Sequence, residues 1–172
     1  MGRSLVTDRA TGDWGEGLAT FSADRRHRYT LCRVWDPQLP MVNFVMLNPS
    51  TADAFALDPT NRRCGGFARA WGFGGFETTN LFALRSTDPR VLREASDPVG
   101  PDNDRSIGEA AARCALVVVA WGTHGALQGR GAEVLALLAD LGIAPSHLRR
   151  TRDGHPAHPL YLPADLEPMP YR

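Results

Sequence analysis

Lysine is absent from this chain: all 19 basic residues are arginine, balanced by 19 Asp and Glu, for a formal net charge of +0. Without a lysine amine there is no Schiff-base nucleophile, no lysine general base and no P-loop lysine contact to phosphate. Zero net charge supplies no global attraction to nucleic acid. Cysteine is scarce, with Cys32, Cys64 and Cys114 far apart and odd in number. That excludes a disulfide framework and a zinc or iron–sulfur site built on paired thiolates, and leaves free, mostly buried thiols. No hydrophobic run is long enough to cross a bilayer and the N-terminus is polar, so a cytoplasmic, monomeric protein with no membrane partner is expected. No Gly-rich phosphate loop, Ser-His-Asp order or His-x-x-x-His pair is present. His155 and His158 are three apart, but Pro156 and Pro159 rule out a helical ligand pair. Neither a metal nor a cofactor is expected.

What is present is an ordinary globular composition, 43% hydrophobic and 22% charged over 172 residues. That length fits one domain burying most of its apolar surface. The stretch MLNPSTADAFALD, residues 46–58, stands out. An apolar run at 42–47 reads as a central, parallel strand. It breaks at Asn48-Pro49 and is followed by Ser50, Thr51, Asp53 and Asp58. Polar groups there sit at the carboxyl edge of a sheet, where open α/β folds bind ligands. The same residues are also ordinary turn and cap formers.

Residues 1–27 have no lasting period and read as a loose arm, with a short strand near 18–21; residues 28–172 then form one α/β domain. Strands are expected at 29–35, 42–47, 78–84, 116–120 and, briefly, 148–150. Helices are expected from Asp58, with Asp58 as N-cap and Pro59 at the first position, near 89–95, at 102–114 and at 130–141. Alternating strands and helices predict a three-layer α/β/α sandwich with a central, mostly parallel sheet. Four polar loops, 48–51, 80–87, 121–124 and 155–161, then gather at one edge. They offer Asn, Ser, Thr, His, Trp and Tyr with few fixed charges, which suits a neutral polar ring.

The motifs LNPSTAD, DPT, TNLFALRST, AWG and GHPAHPLYL together resemble a bacterial and phage family known only as domain of unknown function 1643. Their order is also similar to that of the uracil-DNA glycosylase superfamily, above all its mismatch-specific branch. In that resemblance Asn48 falls at the water-positioning residue, Asn80 at the base-recognising Asn, His158 at the catalytic His and Leu162 near the wedge leucine. Pro49, Ser50, Thr51, Trp121, Pro159, Leu160 and Tyr161 line the substrate. This sequence departs by reading PST after the Asn, by lacking a second small-Pro step after His158-Pro159, and by having no four-cysteine cluster.

The resemblance implies a monofunctional enzyme that hydrolyses the N-glycosidic bond of a damaged or modified base in DNA. A same-fold hydrolase or binder of free nucleosides or nucleotides, and a non-catalytic nucleic-acid module, are the alternatives. Base excision passes through an oxocarbenium-like sugar, as in glycoside hydrolysis. It needs an oriented water, from Asn48 or from a base such as Asp53 or Asp58, and a donor to the departing base, from His158. Helix capping is the competing role for Asp58. Trp121 and Tyr161 either stack on a flipped base or, for Trp121, pack in the core. Arg62, Arg63, Arg85, Arg149 and Arg150 suit phosphate contacts.

Overall fold

The central apolar run becomes β4 (Met41–Met46), buried at every position after Met41. The computed structural model describes residues 4–172. Parallel to β4 run β5 (Gly75–Asn80) on one side and β6 (Leu116–Val119) on the other, with the short β7 (Ser146–His147) beyond β6. Both faces of this core are covered, which is why β4 carries no alternation of apolar and polar residues. On one face α1 (Pro59–Ala70) buries Cys64, Phe67 and Ala68 against Phe44, Met46 and Val118. After the single turn α2 (Val91–Glu94), helices α3 (Asn103–Arg113) and α4 (Arg130–Asp140) cover the other face. There Ile107, Ala111, Val134 and Leu138 pack on Val45, Val117 and Val119. No helix among the described residues is long and apolar enough to cross a membrane.

The sheet is mixed rather than mostly parallel. Three further strands, β1 (Val6–Gly12), β2 (Gly15–Phe21) and β3 (Arg28–Val34), extend it antiparallel from β5, and β8 (Met169–Pro170) adds antiparallel to β7. The full order is β1-β2-β3-β5-β4-β6-β7-β8, with four antiparallel pairs against three parallel ones. The cause is connection length. β1 and β2 are joined through Asp13 and Trp14 alone, and a parallel pair needs a crossover of a dozen or so residues.

Most of the expected loose arm is therefore a hairpin; residues 1–3 lie outside the described part. The short strand expected near 18–21 is the end of β2; the rest of the hairpin carries little signal because its inward residues are small, with Gly17 and Ala19 beside Phe21. Gly15 makes the turn, at φ +113°, where a Cβ would stand 2.0 Å from the Val34 carbonyl oxygen. The strand expected at 148–150 is displaced to β7, because Leu148 drops into the core beneath α1 instead. β5 ends at Asn80, although Leu81 and Phe82 still donate to the carbonyls of Met46 and Leu47 at 2.8 and 3.0 Å.

Between β5 and α3 a buried carboxylate, Glu77, pairs with Arg113. Cys32 and Cys114 lie within electrostatic reach, and burial pushes both thiols up to about 12. Phe44 is fully buried and stacks on Trp71 with ring centroids 6.0 Å apart. Phe44→Ala is expected to lower the unfolding free energy by about 3–5 kcal/mol with the denaturant slope unchanged, measured by urea titration of tryptophan emission.

Candidate active site

The loop after β4 is held at its start by the Asn48 side chain. Its Nδ2 donates to the carbonyls of Ser86 at 2.9 Å and Pro49 at 3.2 Å, and the Ser86 N–H donates back to the Pro49 carbonyl at 2.9 Å. The loops following β4 and β5 are thereby tied together. With both its amide bonds made through Nδ2, Asn48 keeps its Oδ1 free of protein donors among the described residues.

At its middle the loop rests on β2 and β3. Arg28 Nη1 donates to the Ala52 carbonyl at 2.7 Å, Arg33 Nη2 to the Ala54 carbonyl at 3.3 Å, and Ala54 packs on Ala19 and Phe21. Arg28 is 1% exposed, joins no ion pair, and has an Nε without a hydrogen-bond partner among the described residues. Burial draws its pKa down to about 10, opposed by Asp58 and, more weakly, Asp53, so the group stays charged at neutral pH. Sequence reasoning missed Arg28: it stands in a basic cluster with Arg25 and Arg26, suited to phosphate contacts or to solvent, and nothing in its spacing marks it as buried.

The two loop carboxylates differ. Asp53 Oδ1 accepts from the N–H groups of Phe55 and Ala56, both at 2.8 Å, and so closes a turn. Asp58 caps α1: its Oδ1 accepts the Asn61 N–H at 2.8 Å and the Asn61 Nδ2 at 2.9 Å. Asn61, also missed, is buried and passes the contact on, its Oδ1 accepting from Thr78 Oγ1 at 3.0 Å. Thr78 therefore faces α1, and by strand alternation so does Asn80. Asn80 is 1% exposed, and neither its Oδ1 nor its Nδ2 has a partner among the described residues. β3 runs antiparallel to β5, so the Arg28 end of β3 lies alongside the Asn80 end of β5.

The His-Pro loop comes to this same edge. Gly122, just after β6, donates to the Pro156 carbonyl at 2.7 Å, and a Cβ on Gly122 would stand 3.8 Å from the Cβ of His158. The Leu160 N–H donates to His158 Nδ1 at 3.3 Å, which leaves the proton of the neutral ring on Nε2. Burial lowers the His158 pKa, with Asp58 opposing. The edge thus gathers Asn48, Arg28, Asp58, Asn61, Asn80 and His158.

Other expected residues are placed differently. Trp121 is 3% exposed and lies in the core against α4, with Gly125 so close that a Cβ there would stand 2.0 Å from the ring. Its position after β6 points the ring to the far face, so it is no stacking platform. Leu162 is buried beneath α1, which removes it as a wedge. Tyr161 is 93% exposed, Thr51 is exposed, Ser50 and Leu160 are half-buried, and Pro49 and Pro159 are buried. Among the arginines, Arg150 holds the C-terminal tail: its Nη1 donates to the Gly154 carbonyl at 3.0 Å and its guanidinium lies over Tyr171. Arg85 reaches the Arg25 carbonyl and lies over Phe21. Arg62 and Arg149 are exposed and Arg63 is half-buried. Among the described residues, no three His, Cys, Asp or Glu side chains are grouped to hold a metal.

Among known proteins, the family model described as "Protein of unknown function (DUF1643)" matches residues 28–160. No curated protein and no solved structure matches the chain.

Two outcomes check the geometry. His158 should titrate below the ordinary value of about 6.5 by NMR. A depressed folded-state pKa means the unfolded chain binds more protons, so stability is complete above about 6.5 and falls as pH drops toward the folded value. His158→Gln should flatten that window. Asp58→Ala should lower the unfolding free energy by about 1 kcal/mol for the lost cap and further for the lost attraction to Arg28, and Asp58→Asn, which caps nearly as well, should restore only the first part, measured in urea.

Proposed function

The chain belongs to the family of proteins of unknown function DUF1643, and from that premise we propose a uracil-DNA glycosylase-like hydrolase that releases a damaged or modified base from DNA. The observation that carries this reading is the neutral His158, with its proton on Nε2, at the same edge as the unpartnered carboxamide of Asn80. A carboxamide offers one donor and one acceptor side by side, which complements the edge of a nucleobase.

In this reading the Asn48 Oδ1 orients a water whose oxygen bonds to the sugar C1′ as the C1′–N bond breaks. The bonding electrons leave with the base, and the water's second proton passes to solvent. His158 Nε2–H donates to a base oxygen on which the negative charge grows. Arg28, charged behind the loop, adds a positive field at that edge. Asn48 is a poor proton acceptor, so the leaving group carries much of the reaction. Asp53 and Asp58 are engaged as turn and cap groups, which supports Asn48 over either carboxylate as the water-positioning residue.

A second reading, a hydrolase of free nucleotides, draws on the buried Arg28, a cation able to take a phosphate. Oligonucleotides carrying uracil, hypoxanthine, xanthine or a bulky adduct, treated with alkali after incubation, should break at abasic sites. His158→Ala and Asn48→Ala should each slow base release about 10²-fold or more. Unchanged release by both variants would remove these roles; release from mononucleotides alone would establish the second reading.

A further inference from the structure

Two clefts lie side by side along the outer face of α1. One, of about 350 Å³, is walled by Trp14, Arg33, Trp35 and Arg69. The other, of about 410 Å³, is walled by Pro59, Arg63, Phe67 and Ala164. Arg62 and Gly66 line both, and no Asp or Glu lines either. Six arginines elsewhere stand in ion pairs, but among the described residues Arg33, Arg62, Arg63 and Arg69 stand in none.

Three of these four are stacked on rings. The Arg33 guanidinium lies 3.6 Å from the Trp14 ring centroid, that of Arg69 3.9 Å from Trp35, and that of Arg63 5.4 Å from Phe67. A guanidinium laid on an aromatic face is held flat, so little freedom is lost when its N–H fork meets a phosphate. Its outer face accepts a stacked base, as aromatic rings do. Gly66 is exposed on the helix, and a Cβ there meets nothing within 4 Å, so another chain can approach the backbone closely. The two clefts reach Leu57 and Pro59, on either side of Asp58, the α1 cap that belongs to the candidate site. Asp53 acts on Arg33 from that same loop.

We propose that this groove carries a single-stranded segment of nucleic acid along α1 and leads it to the candidate site. Guanidiniums that stand in no ion pair supply the phosphate contacts, and the ring-backed stacks suit bases whose faces are free, which a duplex does not offer. The inference rests on the nucleic-acid reading above but not on base excision.

The test is fluorescence anisotropy of a labelled oligothymidylate, single-stranded and as a duplex with oligoadenylate, between about 50 and 200 mM salt. Gly66→Glu sets a carboxylate between the clefts at a helical position free of steric conflict, and it should weaken single-strand binding about tenfold or more. Gly66→Arg should tighten it. The double variant Arg62→Gln/Arg69→Gln should shrink the salt slope by roughly 1.4, at roughly 0.7 per lost contact. Arg93→Gln, on exposed α2, should change nothing. Circular dichroism melts confirm that each variant folds. Equal binding by wild type, Gly66→Glu and Gly66→Arg overturns the groove, as does tighter binding of the duplex. Base release insensitive to Gly66→Glu would leave the glycosylase reading and remove the groove. Groove-dependent binding with no base released would do the reverse.

Discussion

A guanidinium taken out of water costs several kcal/mol unless its N–H groups are satisfied. Arg28 is withdrawn almost completely, yet meets a single carbonyl, that of Ala52. The through-space attraction of Asp58, and more weakly of Asp53, favours that charge against burial. Two parts of the chain are joined by that one group: the first residue of β3 and the loop after β4 with its carboxylates Asp53 and Asp58. Around it, Arg33 at the Ala54 carbonyl and the packing of Ala54 on Ala19 and Phe21 complete a brace. The N-terminal hairpin is thus the wall against which the candidate site loop is shaped.

The sheet divides its two faces between different tasks. Toward α3 and α4 it presents the apolar layer of Val45, Val117, Val119 and Trp121, with the Glu77–Arg113 pair and the buried Asn43 farther from the carboxyl end. Toward α1 its carboxyl end presents Asn80, with Asn61 and Asp58 opposite it on the helix. Gly122 lies at the crossing point, where the chain leaves β6 and binds the His-Pro loop through Pro156. One residue earlier, Trp121 turns to the apolar side because successive side chains of an extended chain alternate. That parity, rather than its chemistry, keeps an indole out of the site.

The capping network places the chemistry on a rigid element. Asp58 caps α1 and bonds Asn61, and Asn61 bonds Thr78 on β5, so helix and strand are locked in register through polar groups inside an apolar layer. Buried polar chains of this kind hold a geometry because any slip leaves a group unsatisfied. The outer side of the same helix carries arginines that no carboxylate neutralises, so α1 links a polar interior to a basic exterior.

The sequence by itself determined the elements whose signals are local. The uniform apolar runs of β4 and β6, the Asp58-Pro59 start of α1, the amphipathic α3 and α4 and the family motifs are each legible within about a dozen residues, because periodicity and capping act over that range. The polar loops at strand ends were legible for the same reason, including Asn48, Asn80 and His158. Only the tertiary structure decided what depends on distant partners. The first strand of the hairpin and the full length of the second hid behind small inward residues that become meaningful only against Ala54. The sheet's mixed direction follows from connection lengths and pairing. The burial of Arg28, and the choice of the core over a stacking role for Trp121, were settled there too, because burial is set by what packs from elsewhere in the chain and not by the residue's own neighbours.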